Sequence, residues 1–126
     1  RPGATSCVLW STNAWPIDSD DENDPTQRVI GTIEDNGTAF RIVRYEPGVT
    51  PRRHRTDSMD YAVVMSGEID MELDGETVTL KAGDALVQRA TVHNWVNRGT
   101  EPCVIAFVLI SAKPATAGGK ALEAHG

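Results

Sequence analysis

The sequence predicts an all-β fold of antiparallel strands closed as a sandwich or barrel, and three observations predict it. About eight short runs between residues 28 and 112 carry strand patterning, glycine-centred turns separate them, and no stretch holds the apolar period of a long amphipathic helix. The chain has 126 residues, enough for one domain and too few for two independent cores. With 40% hydrophobic and 24% charged residues it can bury a core.

Residues 1–27 read as an N-terminal arm and acidic loop. Asp18, Asp20, Asp21, Glu22 and Asp24 crowd ahead of Pro25, and like charges so close together repel and stay solvated. A divalent-cation loop is the competing reading, but the glycine and terminal glutamate of an EF-hand are missing. The barrel is expected over 28–112. Val29, Ile30 and Ile33 form its first run, followed by a turn at Asp35-Asn36-Gly37. Phe40 to Tyr45 is the second run, closed by Pro47-Gly48. Tyr61-Ala62-Val63-Val64-Met65 is continuously apolar, whereas Ile69, Met71 and Leu73 alternate with Asp70, Glu72 and Asp74, giving one wet face. Asp74-Gly75 signals a tight hairpin into Thr77-Val78-Thr79-Leu80. Gly83-Asp84 turns the chain into Ala85-Leu86-Val87, and residues 93–97 and 103–110 supply two further strands. The Ala/Gly-rich tail, 113–126, is expected as a short helix or a frayed end.

Charge and composition exclude several classes. Twelve basic against eighteen acidic residues give a net charge of −6, which argues against sequence-independent nucleic-acid binding. No helix-turn-helix pattern accompanies the strands. The longest apolar run, residues 104–110, is strand-sized and far short of the roughly 20 residues of a membrane helix. Cys7 and Cys103 are too few to staple a secreted mini-domain and suit a reducing compartment, so a cytoplasmic location with both thiols free is expected. The sequence begins at Arg1 without Met and shows no signal peptide.

Three histidines are present; His125 lies in the tail, and His54 and His93 lie in the strand region. The segment from Gly48 through His54, Thr56 and Asp60 to Gly67 resembles the first motif of the cupins, G-x5-H-x-H-x3-E-x6-G. The segment from Gly83 to His93 and Asn97 resembles their second motif, G-x5-P-x-G-x2-H-x3-N, with one residue fewer before the histidine. The family fold implied is a jelly-roll barrel, a double-stranded β-helix of antiparallel strands.

Cupins often hold one metal with three histidines and a glutamate. Here Thr56 stands at the second histidine position and Asp60 at the glutamate, while Arg89 and Thr91 replace the proline and glycine of the second motif. The resemblance therefore leaves His54, Asp60 and His93 as candidate ligands for a divalent Fe, Mn, Ni, Cu or Zn ion. Two histidines and a carboxylate match a facial triad or a three-ligand zinc site. The alternative is that His54 and His93 are neutral pocket histidines, acting as hydrogen-bond partners or as general acid and base. By strand alternation Thr56 shares the face of His54, where its hydroxyl can orient a water or a substrate oxygen.

Arg41, Arg44, Arg52, Arg53 and Arg55 cluster in an otherwise acidic chain. Arg52 shares the parity of His54 and is expected to meet a substrate carboxylate or enolate; Arg53 and Arg55 point away, toward Asp70, Glu72 or Asp74. Tyr61, Met65, Trp95 and Phe107 are candidate cavity walls, Trp95 by sharing the face of His93. Trp10 and Trp15 either cover the open end or meet a second subunit.

Two functions follow. One is a small-molecule enzyme, with or without metal, acting on an oxygenated anionic substrate by lyase, decarboxylase, isomerase or dioxygenase chemistry, with His54, His93, Thr56 and Arg52 at the reaction centre. The other is a non-enzymatic small-ligand-binding barrel that has lost its metal. In either case the expected assembly is a homodimer, with no nucleic-acid or membrane partner.

Overall fold

The computed structural model describes residues 1–21, 36–52, 57–89 and 91–113, together with the backbone of 116–117 and 120–121. Every regular element among them is a strand: β1 Ala4–Thr12, β2 Thr38–Tyr45, β3 Ser58–Ser66, β4 Glu68–Leu73, β5 Glu76–Lys81, β6 Ala85–Gln88, β7 Asn94–Val96, β8 Cys103–Ser111, β9 Thr116–Ala117 and β10 Lys120–Ala121. Five of them form one sheet in the order β1-β2-β8-β3-β6, and three form a second in the order β5-β4-β7; β9 and β10 make a separate two-stranded ribbon. All pairings are antiparallel. No helix among the described residues is long and apolar enough to cross a membrane.

The register follows from side-chain parity. In β8, Cys103, Ile105, Phe107 and Leu109 are buried and the residues between them are half-buried, so one face of the central strand looks into the molecule. Its neighbours present Val43 and Tyr45 from β2 and Ala62 and Val64 from β3 on the same side. The smaller sheet closes over them with Ile69, Met71, Leu80 and Trp95, and the residues of both sheets form one apolar cluster. Each fully buried aliphatic side chain in that cluster stabilises the fold by roughly 1.5–3 kcal/mol.

Glycine is required where β3 turns into β4. Gly67 has φ +80°, and a Cβ there would stand 2.9 Å from Cys103 Cα and closer still to the Pro102 carbonyl. The β4–β5 hairpin is the tight Asp74-Gly75 connection expected, with Gly75 at φ +76° and Leu73 opposite Glu76.

One part of the expected layout reads differently in space. Ala4–Thr12, assigned from sequence to an arm, is a strand of the larger sheet, paired along its length with β2 of the same chain. The run expected at Val29, Ile30 and Ile33 lies outside the described residues, as do Arg53, His54, Arg55, Thr56 and His125.

Candidate functional site

A cavity of about 290 Å³ opens between the two sheets. From β2 come Arg41, Val43 and Tyr45, from β3 Asp60, and from β8 Phe107 and Leu109; His93 and Trp95 enter from the smaller sheet, and Arg1 and Arg52 complete the rim. Strand parity puts these side chains there: Asp60 belongs to the buried series Ser58, Asp60, Ala62, Val64, and Arg41 to the series that ends at Tyr45.

His93 is 3% exposed. Its Nδ1 lies 2.8 Å from the Thr91 carbonyl, which can only accept, so Nδ1 carries the proton. In the neutral ring, Nε2 is then the atom that bears the lone pair, as a metal-ligating or proton-accepting histidine requires. The ring stands edge-on to Trp95, 6.4 Å between centroids. Asp60 is likewise buried, and Ser58 Oγ donates to its Oδ1 at 2.6 Å. Loss of water raises the Asp60 carboxyl above its ordinary value, and the Ser58 hydrogen bond opposes that rise without cancelling it.

Trp95 is the aromatic centre of the wall. Phe107 meets it edge-on at 5.8 Å and Tyr45 stacks on it at 6.2 Å. Burial pushes the Tyr45 phenol well above its ordinary value, so it stays protonated at neutral pH. The Arg1 guanidinium sits 5.5 Å over the Tyr45 ring and is anchored by Nη2 to the Trp95 carbonyl at 2.9 Å and by Nε to the Thr50 carbonyl at 2.7 Å. Arg41 is half-buried, with Nη1 3.3 Å from Ser6 Oγ. The backbone N–H of Arg52 donates to Asn94 Oδ1 at 2.8 Å. Three guanidinium groups and one buried carboxyl thus share a cavity with an imidazole and an aromatic wall.

Of the residues singled out from sequence, Arg52, Asp60, His93, Trp95 and Phe107 line this cavity. Tyr61 and Met65 do not. They are 48% and 54% exposed, because Tyr61 has the opposite parity to Asp60 and Met65 falls at the register shift between Val64 and Ser66. His54 and Thr56 lie outside the described residues. Asp70 and Glu72, expected to meet Arg53 or Arg55, are bound by Arg98 at 2.7 and 2.9 Å. Arg44 points outward to Glu46 at 2.6 Å.

Sequence reasoning did not place Arg1, Arg41 or Tyr45 in the site. For Arg41 and Tyr45 the signal was available, since Arg41, Val43 and Tyr45 share one face of the alternating run. For Arg1 there was none, because its position depends on tertiary contacts with Thr50 and Trp95.

Comparison with known proteins agrees with this architecture. Residues 41–110 match the Cupin_2 family, described as a cupin domain. A cupin-domain-containing oxidoreductase, fogC of Aspergillus ruber, is 35% identical over 129 residues, covering 97% of this chain and 64% of that protein. Phomopsin biosynthesis cluster protein D of Diaporthe leptostromiformis is 40% identical over 123 residues, covering 91% of this chain and 65% of that protein. The chain therefore spans just under two thirds of the length of these relatives. Among solved structures, a protein with a double-stranded β-helix domain from Klebsiella pneumoniae superposes with a TM-score of 0.63 at 21% identity, covering 90% of this chain and 81% of that one. A cupin 2 conserved barrel domain protein from Salinispora arenicola superposes with a TM-score of 0.59 at 18% identity, over 86% of this chain and 76% of its own. On its sequence match, and with the barrel in agreement, this chain belongs to the Cupin_2 family.

Proposed function

We propose that the chain is a small-molecule enzyme acting on an oxygenated anionic substrate whose apolar body rests against Trp95 and Phe107. The observation that carries this reading is the shared cavity: Arg1, Arg41 and Arg52 supply positive charge on the wall that also presents Asp60 and His93. Guanidinium groups recognise carboxylate or enolate oxygens by paired hydrogen bonds. The similarity to proteins named cupin-domain-containing oxidoreductases supports an enzymatic rather than a purely structural role.

The donor chemistry fits a divalent transition metal. His93 has its Nδ1 committed to Thr91, which leaves Nε2 as the ligating atom, and Asp60 is a carboxyl that burial makes costly to ionise without a cation beside it. His54, assigned by the sequence motif, would be the third ligand. Such an ion would polarise a substrate carbonyl or enolate oxygen. The protein's own part is to bind and orient. Arg41 and Arg52 hold the anionic group, the Thr56 hydroxyl aligns a substrate oxygen, and Trp95 and Phe107 keep bulk water from the apolar body.

Metal analysis of protein purified without added metal tests the centre: about one equivalent of Fe, Mn, Ni, Cu or Zn is expected, lost in Asp60→Ala and His93→Ala. Calorimetric titration with aromatic carboxylates tests the substrate class. Arg41→Gln or Arg52→Gln should weaken binding about tenfold, the loss of one charged hydrogen bond of roughly 1.5 kcal/mol. Carboxylates that bind no better than the matching alcohols would sink the anionic assignment. A protein that takes up no metal under any loading condition would leave the small-ligand-binding alternative.

A further inference from the structure

The Tyr45 phenol is a polar group of the cavity wall to which no role has yet fallen. The side chain is 5% exposed and lines the space between the sheets. Its ring is fixed by Trp95, stacked at 6.2 Å, and by the Arg1 guanidinium, 5.5 Å from its centroid. Its main chain is fixed as well, since the Tyr45 carbonyl accepts from Asn97 Nδ2 at 3.0 Å. The hydroxyl, by contrast, makes no hydrogen bond to any described residue. Among the described residues, the side-chain atoms sealed from solvent without a partner are Asp57 Oδ1 and Gln88 Oε1. The Tyr45 hydroxyl is neither, so its unpartnered side opens on the cavity. A buried hydroxyl costs free energy unless something hydrogen-bonds it. Here that partner is whatever fills the cavity.

We propose that Tyr45 is a specificity-determining residue, its hydroxyl donating a hydrogen bond to an uncharged keto oxygen of the bound molecule. The substrate class narrows accordingly, to carboxylates that carry a ketone on an apolar body. The carboxylate part rests on the function proposed above; the keto part rests on Tyr45 alone. Burial keeps the phenol protonated at neutral pH, so its O–H is available to an acceptor. A ketone is satisfied by that one donor, whereas a substrate hydroxyl would need an acceptor for its own proton as well. Charge explains why the acceptor is neutral. Arg1 and Arg52 act on the phenol with one sign of charge and Asp60 with the other, so their fields partly offset there. Two of the Arg1 nitrogens are already engaged by the Thr50 and Trp95 carbonyls. A carboxylate is therefore better held by Arg41 and Arg52 than at Tyr45. Because the ring is fixed before a ligand arrives, the hydroxyl needs no reorganisation, and an analogue lacking the oxygen leaves it without a partner.

Calorimetric titration of the protein as purified tests this with ligand pairs that differ by the keto oxygen: benzoylformate against phenylacetate, and β-benzoylpropionate against γ-phenylbutyrate. The pairs set the ketone at two distances from the carboxylate. At least one keto acid is expected to bind about tenfold more tightly than its partner. Tyr45→Phe keeps the ring against Trp95 and removes the donor, so it should erase that preference by weakening the keto acid alone. A wild type without the preference in either pair overturns the inference, as does a preference that survives in Tyr45→Phe. Equal weakening of both members of a pair overturns it too, because it marks a purely structural role. The anionic reading fails separately, when the carboxylates bind no better than the matching alcohols. The keto preference is then read on phenacyl alcohol against phenethyl alcohol, the alcohols of the first pair. Should Tyr45→Phe fail to fold, fluorine NMR of Tyr61→Phe labelled with fluorotyrosine takes its place, since Tyr45 is then the one tyrosine left. Its resonance should move with the keto acid and not with its partner; equal movement overturns the proposal.

Discussion

Asn94 holds the main chain of Arg52 in place: its Oδ1 accepts the Arg52 N–H at 2.8 Å, while its Nδ2 donates to Glu72 Oε1 at 2.9 Å. One buried amide thereby ties the segment that carries an anion-binding guanidinium to the smaller sheet. Replacing it tests both bonds. Asn94→Ala leaves the half-buried Arg52 N–H without its acceptor and should cost about 1–3 kcal/mol in urea unfolding. Asn94→Asp restores that acceptor but sets a second carboxylate against Glu72. Its penalty should be present at pH 7 and relieved as pH falls below about 4, where carboxylates protonate. A pH-independent Asn94→Asp penalty would contradict the pairing with Glu72.

The two cysteines should behave in opposite ways. Cys103 is fully buried in the first position of β8, and burial pushes its thiol up to about 11. It should resist alkylation at pH 8 until the protein unfolds. Cys7 is an exposed free thiol on the outer face of β1. Cys7 should therefore be alkylated promptly in the native protein under the same conditions. Mass spectrometry of the labelled peptides distinguishes the sites, and prompt modification of Cys103 in native protein would contradict its burial.

Much of the fold was legible because half-buried strands announce themselves by a period of two. Ile69, Met71 and Leu73 against Asp70, Glu72 and Asp74 gave β4 and its wet side directly, and Asp74-Gly75 gave the hairpin. β1 was not legible. The residues it turns inward are Ala4, Ser6, Val8 and Ser11; Val8 is the single larger apolar side chain of the four, too little to mark an apolar face. The run Tyr61-Ala62-Val63-Val64-Met65 misled for the opposite reason: both faces of β3 are apolar there, so hydrophobicity could not say which side was inside. Asp60 held the answer, since a site residue at 60 sends 61 outward. The convergence of Arg1 with Tyr45 and Trp95 depends on contacts distant along the chain that no local pattern encodes.

Gln88 offers a test of an unsatisfied interior group. It sits opposite Asp60 in the β3–β6 register and is buried. Its Nε2 reaches Met71 Sδ at 3.1 Å, a weak acceptor, and its Oε1 has no hydrogen-bond partner. A buried carbonyl oxygen left without a donor costs roughly 1–3 kcal/mol. Gln88→Met keeps the length of the side chain and removes the orphaned oxygen, so it should raise stability by up to about 1 kcal/mol in chemical denaturation. A clear loss of stability would mean that the oxygen has a partner, such as a bound water.

On the surface of the smaller sheet, Arg98 bridges two strand carboxylates, with Nη1 on Asp70 Oδ2 and Nη2 on Glu72 Oε2. Thr79 Oγ1 also donates to Asp70, at 2.7 Å. The Thr79 bond first and the Arg98 bond second hold the Asp70 carboxyl below its ordinary value. A carboxyl depressed in the folded state contributes stability above its unfolded pKa, near 3.9, and loses it as pH falls through the lower folded value. Arg98→Met should therefore lower the urea midpoint at pH 7 and leave a gap to the wild type that narrows steadily below pH 4. Thr79→Val should narrow in the same acid window. Because Arg98 is half-exposed, added salt should shrink its gap at pH 7 while leaving that of Thr79→Val largely intact. A gap for Arg98→Met that widens on acidification would reverse the sign required by a depressed Asp70 and remove the bridge as its cause.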